Sequence, residues 1–360
     1  MPARLEAPLA ELTTLRLGGP ARRLVTADST ADLITAVTAA DREGEPVLLL
    51  AGGSNLVISD LGFDGVAVRI ATRGVEVARS GERVRLTVAA GEPWDELVAR
   101  CVADGLAGIE CLSGIPGSVG ATPIQNVGAY GQEIAATVRS VSAWDRTAGK
   151  AVSFDRRACG FGYRTSMFKG GDRYVVLAVT LELEPAALAR PIAYPQLAAA
   201  LGVGPGDRPP LAAVREAVLG LRRAKGMVVD PADPDSVSVG SFFTNPILDL
   251  EGFRALERRA SGRLDGDDRP PGWSQPDGAV KTSAAWLIER TGFERGYGSG
   301  AVGISTKHTL ALVAEDSTTA LDVRRGADTI RGRVGELFGV WLEPEPLFVG
   351  PFPGCRKEVG

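Results

Sequence analysis

The sequence predicts a mixed α/β or α+β protein, and three observations carry that expectation. Strand-like and helix-like segments alternate through the first third, 44% of the 360 residues are apolar, and the composition changes abruptly near residue 185. This length exceeds one ordinary core and predicts two or three domains.

The first helix is expected over 29–44, "STADLITAVTAADREG", where Leu33, Ile34, Val37 and Ala40 recur at helical spacing after a cap at Ser29 or Asp28. "PVLLLAGG" then reads as a buried strand running into glycines, and "GVAVRI" as another. "RVRLTVAAGE" at 83–92 alternates Val84, Leu86 and Val88 on one face, and "PWDELVARCVADG" sets Pro93 at a helix start. Beyond a glycine-rich stretch, "TVRSVSAWD" and "YVVLAVTLELE" read as strands, the second ending before Pro185. The Ala-, Gly- and Pro-rich sequence from 185 to 210 reads as a domain junction, and "PLAAVREAVLGLRRAK" after it as an amphipathic helix. "AAWLIERTG", "TLALVAE" and a long helix near 318–338 complete a second set of elements, with no internal repeat.

Composition excludes several function classes. A net charge of −4 lacks the basic excess of a surface that tracks nucleic acid. The longest aliphatic run, "VLLLA" at 47–51, falls far short of the roughly 20 residues that span a bilayer. The start, "MPARLEAPLAELTT", has no apolar core of the signal-peptide kind, so a soluble cytoplasmic protein is expected. Cys101, Cys111, Cys159 and Cys355 show no CxxC spacing and read as reduced thiols. The one histidine, His308, rules out a multi-histidine metal site, so no metal is expected. Proton transfer is left to Ser, Tyr, Lys, Glu or Cys.

The formal GxGxxG at 298–303, "GSGAVG", follows a helix-like segment where a dinucleotide fingerprint needs a strand, and reads as a turn. "LLLAGGSNLV" is different: an apolar strand runs into Gly52, Gly53, Ser54 and Asn55, whose amides suit a bound anion, although ordinary strand ends share this pattern. A second glycine stretch, "SGIPGSVGATPIQNVGAYGQE", spans 113–133 with Gly114, Gly117, Gly120, Gly128 and Gly131. Pro116 and Pro123 stiffen it while the glycines clear side chains from the backbone, which suits several N–H groups converging on a diphosphate. Gln125 and Asn126 add side-chain amides.

With "FGYRTSMFK" at 161–169, "VGSFFTNP" at 239–246, "AAWLIERTGF" at 284–293 and "WLEPE" at 341–345, the two glycine segments stand in the order seen in UDP-N-acetylenolpyruvoylglucosamine reductases, which the chain resembles from about Thr14 to about Gly350. The resemblance implies a three-part α+β flavoprotein whose FAD unit is of the vanillyl-alcohol oxidase type, without a Rossmann unit. Subdomain 1 would cover 1–72, completed by 335–360; subdomain 2 would cover 73–190, and a substrate domain 200–334. FAD would be non-covalent, since no cysteine or histidine lies where attachment occurs. It would contact Gly52, Gly53, Ser54, Asn55, Gly114, Ile115, Pro116, Gly117, Gly120, Ala121, Gln125, Asn126, Gly128, Ala129, Tyr130 and Gly131.

The implied reaction carries hydride from NADPH through the flavin to the terminal vinyl carbon of UDP-N-acetylglucosamine enolpyruvyl ether, in peptidoglycan precursor synthesis. Negative charge then develops beside the carboxylate. By resemblance Arg164 stabilises that enolate, Ser241 protonates it, and Glu345, with Glu343 as the nearby alternative, assists once its pKa is raised. Phe242 and Phe243 would exclude water or serve as core. Tyr163, Tyr194, Arg222, Lys225, Asn245 and His308 match substrate positions. Thr165 stands where the family often has aspartate, Ala51 where it often has a third glycine, and the tail after Gly350 is not covered. The chain is expected to be a monomer. The rival readings are a flavin oxidase of a hydroxy acid or alcohol, which would want a base near the flavin, and a non-catalytic nucleotide-sugar or flavin-binding module.

Overall fold

In a computed structural model, the structure describes residues 3–204, 206–264, 268–298, 302–315 and 317–355. The chain begins with a four-stranded sheet in the order β1 (Ala3–Pro8), β2 (Pro20–Ala27), β5 (Phe63–Ile70), β3 (Val47–Leu50). The first pair is antiparallel and the others are parallel. Helix α1 (Thr30–Glu43) starts where the Ser29 hydroxyl accepts from Asp32 N at 3.1 Å, and stops at Gly44 in the left-handed region. Its apolar face, Leu33, Ala36, Val37 and Ala40, covers Val25, Val66 and Val68 together with Val175 and Leu177 from the next sheet. Strand β4 (Leu56–Ile58) pairs in parallel with Leu347–Val349, so the far end of the chain docks beside its beginning.

The second sheet is antiparallel. Strands β6 (Val75–Ser80) and β7 (Arg83–Ala89) form a hairpin, and helix α2 (Trp94–Ala103) follows with Asp95 and Glu96 in its first turn. Short strands β8 (Leu106–Ala107), β9 (Gly128–Ala129) and β10 (Gln132–Glu133) precede β11 (Val138–Asp145), β12 (Lys150–Asp155) and β13 (Tyr174–Pro185). Their order is β12-β11-β13-β7-β6. Trp94, Leu97, Val98 and Cys101 of α2 pack against Leu86, Val88, Val179 and Leu181. Alternation of buried and half-exposed positions along β7 and β13 is the period-2 pattern of strands packed on one face. Burial pushes the thiols of Cys101 and Cys111 up to about 12, and that of Cys159 up to about 11, so all three behave as core groups.

The Ala-, Gly- and Pro-rich segment is packed in place. Ala189, Ile192 and Leu197 are buried, and helices α3 (Pro195–Leu201) and α4 (Leu211–Arg223) close over Ala107 and Cys111. Beyond them lie two three-stranded sheets. One has β14 (Ser238–Ser241) in the order β14-β19-β18, and the other has β15 (Ile247–Leu248) in the order β15-β17-β16. In chain order the remaining elements are α5 (Leu250–Ser261), β16 (Gly272–Ser274), β17 (Val280–Thr282), α6 (Ala284–Glu289), β18 (Val302–Ile304), β19 (Ala311–Ala314) and α7 (Ala320–Phe338). Thr319 and Asp322 form a capping box at the start of α7, and Asp60 from the first unit accepts from Ala320 N at 2.8 Å and Leu321 N at 3.1 Å. The core here holds Phe242, Phe243, Trp286, Leu287, Val334 and Phe338, with Leu15 and Val57 from the N-terminal part. Residues 299–301 of "GSGAVG" lie outside the described residues; Gly298 and Gly303 face each other across an isolated antiparallel bridge. Among the described residues no helix is long and apolar enough to cross a membrane.

Candidate functional site

The two glycine segments meet. β3 ends at Leu50, and the following turn sets Gly52 so close to Gly117 that a Cβ on Gly52 would stand 2.7 Å from the Gly117 Cα. Gly53 and Gly117 adopt φ of +56° and +107°, which only glycine enters without strain. The Ser54 hydroxyl donates to Pro116 O at 3.4 Å. Helix α2 anchors the second segment from behind: Trp94 N donates to Gly117 O at 3.0 Å, and Asp95 Oδ1 accepts from Gly114 N at 2.5 Å.

Between these loops and the C-terminal part lies a cavity of about 330 Å³. Of the residues expected at the cofactor, Gly52, Gly53, Ser54, Asn55, Ile115, Pro116, Gly117, Ala121, Gln125 and Gly128 line it. Two lining groups hold polar atoms that are buried without a hydrogen-bond partner among the described residues, Gln125 Oε1 and Arg222 Nε. Burial also lowers the Arg222 pKa, against the influence of Tyr130 and Asp95, while its Nη2 is spent on Met227 O at 2.7 Å. An unspent acceptor and an unspent cationic donor, beside loops cleared of side chains, fit a ligand carrying both amide and phosphate groups such as FAD.

The other expected cofactor residues do not line the cavity. Asn126 is buried and fully used: its amide nitrogen donates to Glu133 Oε2 at 2.8 Å and Gly162 O at 2.9 Å, and its Oδ1 accepts from Ala135 N at 3.1 Å. Gly120 packs on Ala90, 2.5 Å from where its Cβ would stand. Gly114 is held by Asp95, with φ +71°. Ala129 belongs to β9, and Tyr130 and Gly131 turn toward Tyr194, whose ring lies edge-on to Tyr130 at 5.5 Å.

Arg164, Ser241 and Glu345 all face the cavity. Gly162 and Thr165 exchange backbone hydrogen bonds of 3.1 and 3.3 Å, closing a tight turn that holds Arg164 at φ +52°. A non-glycine residue in that region is strained, and such strain gathers where a side chain must be aimed. The guanidinium reaches Gly128 O at 2.9 Å and Glu345 Oε1 at 3.4 Å. Burial raises the Glu345 pKa although Arg164 and Lys169 pull it down. Glu345 is held on both sides, its N donating to Phe242 O at 2.8 Å and its O accepting from Asn55 Nδ2 at 3.2 Å. Glu343, the alternative, faces outward to Arg331 at 3.3 Å. Ser241 ends β14 after Gly240, whose φ is +75°, and its hydroxyl has no hydrogen-bond partner among the described residues. Phe242 and Phe243 are plain core, 0% and 2% exposed.

Of the expected substrate residues Arg222 lines the cavity, and Tyr163, Tyr194, Lys225, Asn245 and His308 do not. Lys225 Nζ sits 5.8 Å over the Tyr130 ring and donates to Gln196 at 2.9 Å, and burial followed by the Arg222 charge lowers its pKa. Tyr194 is 41% exposed beside it. Tyr163 lies between the Arg164 guanidinium at 5.4 Å and Lys281 Nζ at 4.9 Å. Burial raises its pKa against the Arg164 charge and Asn245, whose Oδ1 accepts from Ala284 N at 3.0 Å. Burial, and then the Lys225 charge, push the His308 pKa down to about 4, leaving a neutral imidazole at neutral pH.

Two groups escaped the sequence reading. Asp95 looks like an ordinary first-turn acid, yet it joins Gly114 to Arg215 of α4 through a two-pronged pair at 2.6 and 2.9 Å. Lys281 gave no signal beyond the scarcity of lysine, because its partner ring lies far away in sequence.

A family model described as an FAD binding domain matches residues 21–155. A second, the C-terminal domain of UDP-N-acetylenolpyruvoylglucosamine reductase, matches 231–349. Proteins named UDP-N-acetylenolpyruvoylglucosamine reductase are similar across nearly the whole chain. The one from Thermobifida fusca is 53% identical, covering 95% of this chain and 97% of its own, and the one from Streptomyces coelicolor is 55% identical, covering 96% and 90%. The crystal structure of the Thermus caldophilus reductase superposes with a TM-score of 0.62 at 24% identity, over 97% of this chain and 98% of that one, a likeness of fold. Identity above one half across the full length, together with the two converging glycine loops, establishes that the chain belongs to the UDP-N-acetylenolpyruvoylglucosamine reductase family of FAD-dependent oxidoreductases.

Proposed function

We propose that the protein reduces the enolpyruvyl ether of UDP-N-acetylglucosamine to UDP-N-acetylmuramate, at the expense of NADPH and in peptidoglycan precursor synthesis. The observation that carries this reading is the convergence of Arg164, Glu345 and Ser241, from three separate chain segments, on the cavity between the glycine loops. FAD, when bound, supplies a two-electron carrier that accepts hydride from NADPH and gives it to the terminal vinyl carbon. The chain would hold it with backbone N–H groups of Gly52, Gly53 and Gly117, with Pro116 stiffening the loop, and with the spare polar atoms of Gln125 and Arg222.

Arg164 holds the substrate carboxylate and stabilises the charge that develops as the adjacent carbon becomes enolate-like. Burial raises the Glu345 pKa against the pull of Arg164 and Lys169, and in its protonated form the carboxyl donates to that carboxylate rather than opposing it. Ser241 gives its hydroxyl proton to the carbon next to the carboxylate, completing addition of H⁻ and H⁺ across the double bond. Lys225 suits the sugar diphosphate, with Tyr130 and Tyr194 alongside, and Tyr163, Asn245 and His308 are assigned to the same substrate, whereas Arg222, which lines the cavity, serves the cofactor instead. The nucleotide sugar and NADPH set the reaction in the cytoplasm, and the protein is taken to act as a monomer. With it goes a division into 1–72 with 335–360, 73–190 and 200–334.

The test is anaerobic. NADPH should bleach the flavin of the holoprotein, and the enolpyruvyl ether should restore its colour without oxygen. Recovery by air alone would favour a hydroxy-acid or alcohol oxidase, and a protein without flavin would favour a binding module. Ser241→Ala should leave bleaching intact and stop the recovery.

A further inference from the structure

The segment before the first glycine loop makes a connection that no role assigned so far uses. Thr14 N donates to Gly53 O at 3.3 Å, and the Thr14 hydroxyl donates to Ser238 O at 2.7 Å. Gly53 belongs to the glycine loop, whereas Ser238 opens β14, the strand that ends at Ser241. One residue therefore touches both walls of the cavity.

Its neighbours make this a bracket and not a passing contact. Leu15, 1% exposed, lies in the core of the C-terminal part with Val239, Phe242 and Leu312. Arg16 then takes φ +57°, a strained turn that sends the chain back toward Gly19, whose N donates to Ser59 O at 2.9 Å. On the far side, Ser238 is 5% exposed and its hydroxyl accepts from Gly240 N at 3.2 Å. The pairing of β14 with β19 is irregular between Ser238 and Ser241. Ser241 itself pairs with Ala311, but the ladder is broken between the two ends of the strand, so the Ser238 carbonyl held by Thr14 is a second, independent anchor on its position.

We infer that Thr14 is a positioning residue for protonation: its hydroxyl fixes β14 against the flavin loop and so sets the distance from the Ser241 hydroxyl to the carbon it protonates. This rests on the proposed role of Ser241. Hydride uptake from NADPH does not use Ser241, so the two half-reactions separate placement from folding. A misplacement on the order of 1 Å costs about a hundredfold in such a step.

Thr14→Val keeps the shape and removes the donor. It should bind FAD normally, be reduced by NADPH within about twofold of wild type, and be reoxidised by the enolpyruvyl ether roughly ten to a hundredfold more slowly, with a larger solvent deuterium isotope effect. Thr14→Ser should restore most of the rate. Loss of flavin, equal slowing of both half-reactions, or wild-type reoxidation while Ser241→Ala is stalled would each overturn the inference and leave the reading of Ser241 standing. Normal reoxidation in Ser241→Ala would instead remove that reading, and the inference with it.

Discussion

Arg164 Nε stands 3.4 Å from Glu345 Oε1, a cation from a strained turn after the second glycine segment and a carboxyl from the last stretch before the final strand. Burial raises the Glu345 pKa, so its proton is retained above the usual carboxylate range and lost as pH rises through the raised value. If the protonated form is the useful one, reoxidation of reduced flavin by substrate slows over that rise. Glu345→Gln, permanently neutral, should flatten this alkaline decline, whereas Glu345→Ala should be slow at every pH. Arg164→Lys loses the forked donor and should slow the same step by about a hundredfold. Stopped-flow measurement of reoxidation across pH checks all three.

Gly52→Ala should lower both cofactor affinity and stability. Its Cβ would press on the Gly117 Cα at 2.7 Å, and backbone on both sides must then give. The added methyl costs roughly 1–3 kcal/mol of loop geometry and should weaken FAD by tenfold or more. The clash with Gly117 is present without ligand as well, so the apoprotein should melt a few degrees lower. Flavin absorbance after gel filtration, set beside the melting curve, reports both quantities.

Gln125→Leu should act in opposite directions on the two states. In the apoprotein Gln125 Oε1 is buried without a hydrogen-bond partner among the described residues, so removing it should be neutral or stabilise by up to about 1 kcal/mol. In the holoprotein the same change should remove the contact proposed for Gln125 and weaken FAD by about tenfold. Calorimetric melting with and without FAD gives the sign in each state, and a loss of apoprotein stability would contradict the assignment.

His308 makes the fold sensitive to acid. Its pKa falls from 6.5 to about 4 in the folded state, chiefly through burial, with Lys225 and Arg295 adding to the shift and Glu289 opposing it. The unfolded chain therefore takes up the proton first as pH drops. Stability that is complete above about pH 6.5 declines as pH falls toward about 4. At about pH 5 the loss amounts to up to about 2 kcal/mol, and His308→Gln should remove it. Urea unfolding of both proteins at neutral pH and at about pH 5 measures the difference.

What the sequence showed and hid follows from the range of the interactions. Ser29 and the Leu33–Ala40 periodicity were legible because a cap and a helical face are local facts, and α1 begins and ends where they indicate. The glycine segments were legible as a region, since glycine at such density needs a reason. Which amides serve a ligand was not: Asn126, with the same chemistry as Gln125, is consumed by Glu133, Gly162 and Ala135. Strand β1 went unread because five of its six residues are exposed and leave no alternating pattern. Asp95 was opaque for the converse reason, its partners Gly114 and Arg215 being set by tertiary packing.

The parallel pairing of Leu347–Val349 with Leu56–Ile58 has a consequence for biosynthesis. The ribosome must release nearly the whole chain before that strand can dock and bring Glu345 to Arg164. A product terminated before the last helix ends would carry both glycine bends and Ser241 yet lack Glu345 and the strand that docks on Leu56–Ile58. Premature stops should therefore yield inert polypeptide and no leaky flavoprotein, sparing the cell a species that reduces oxygen in place of its substrate.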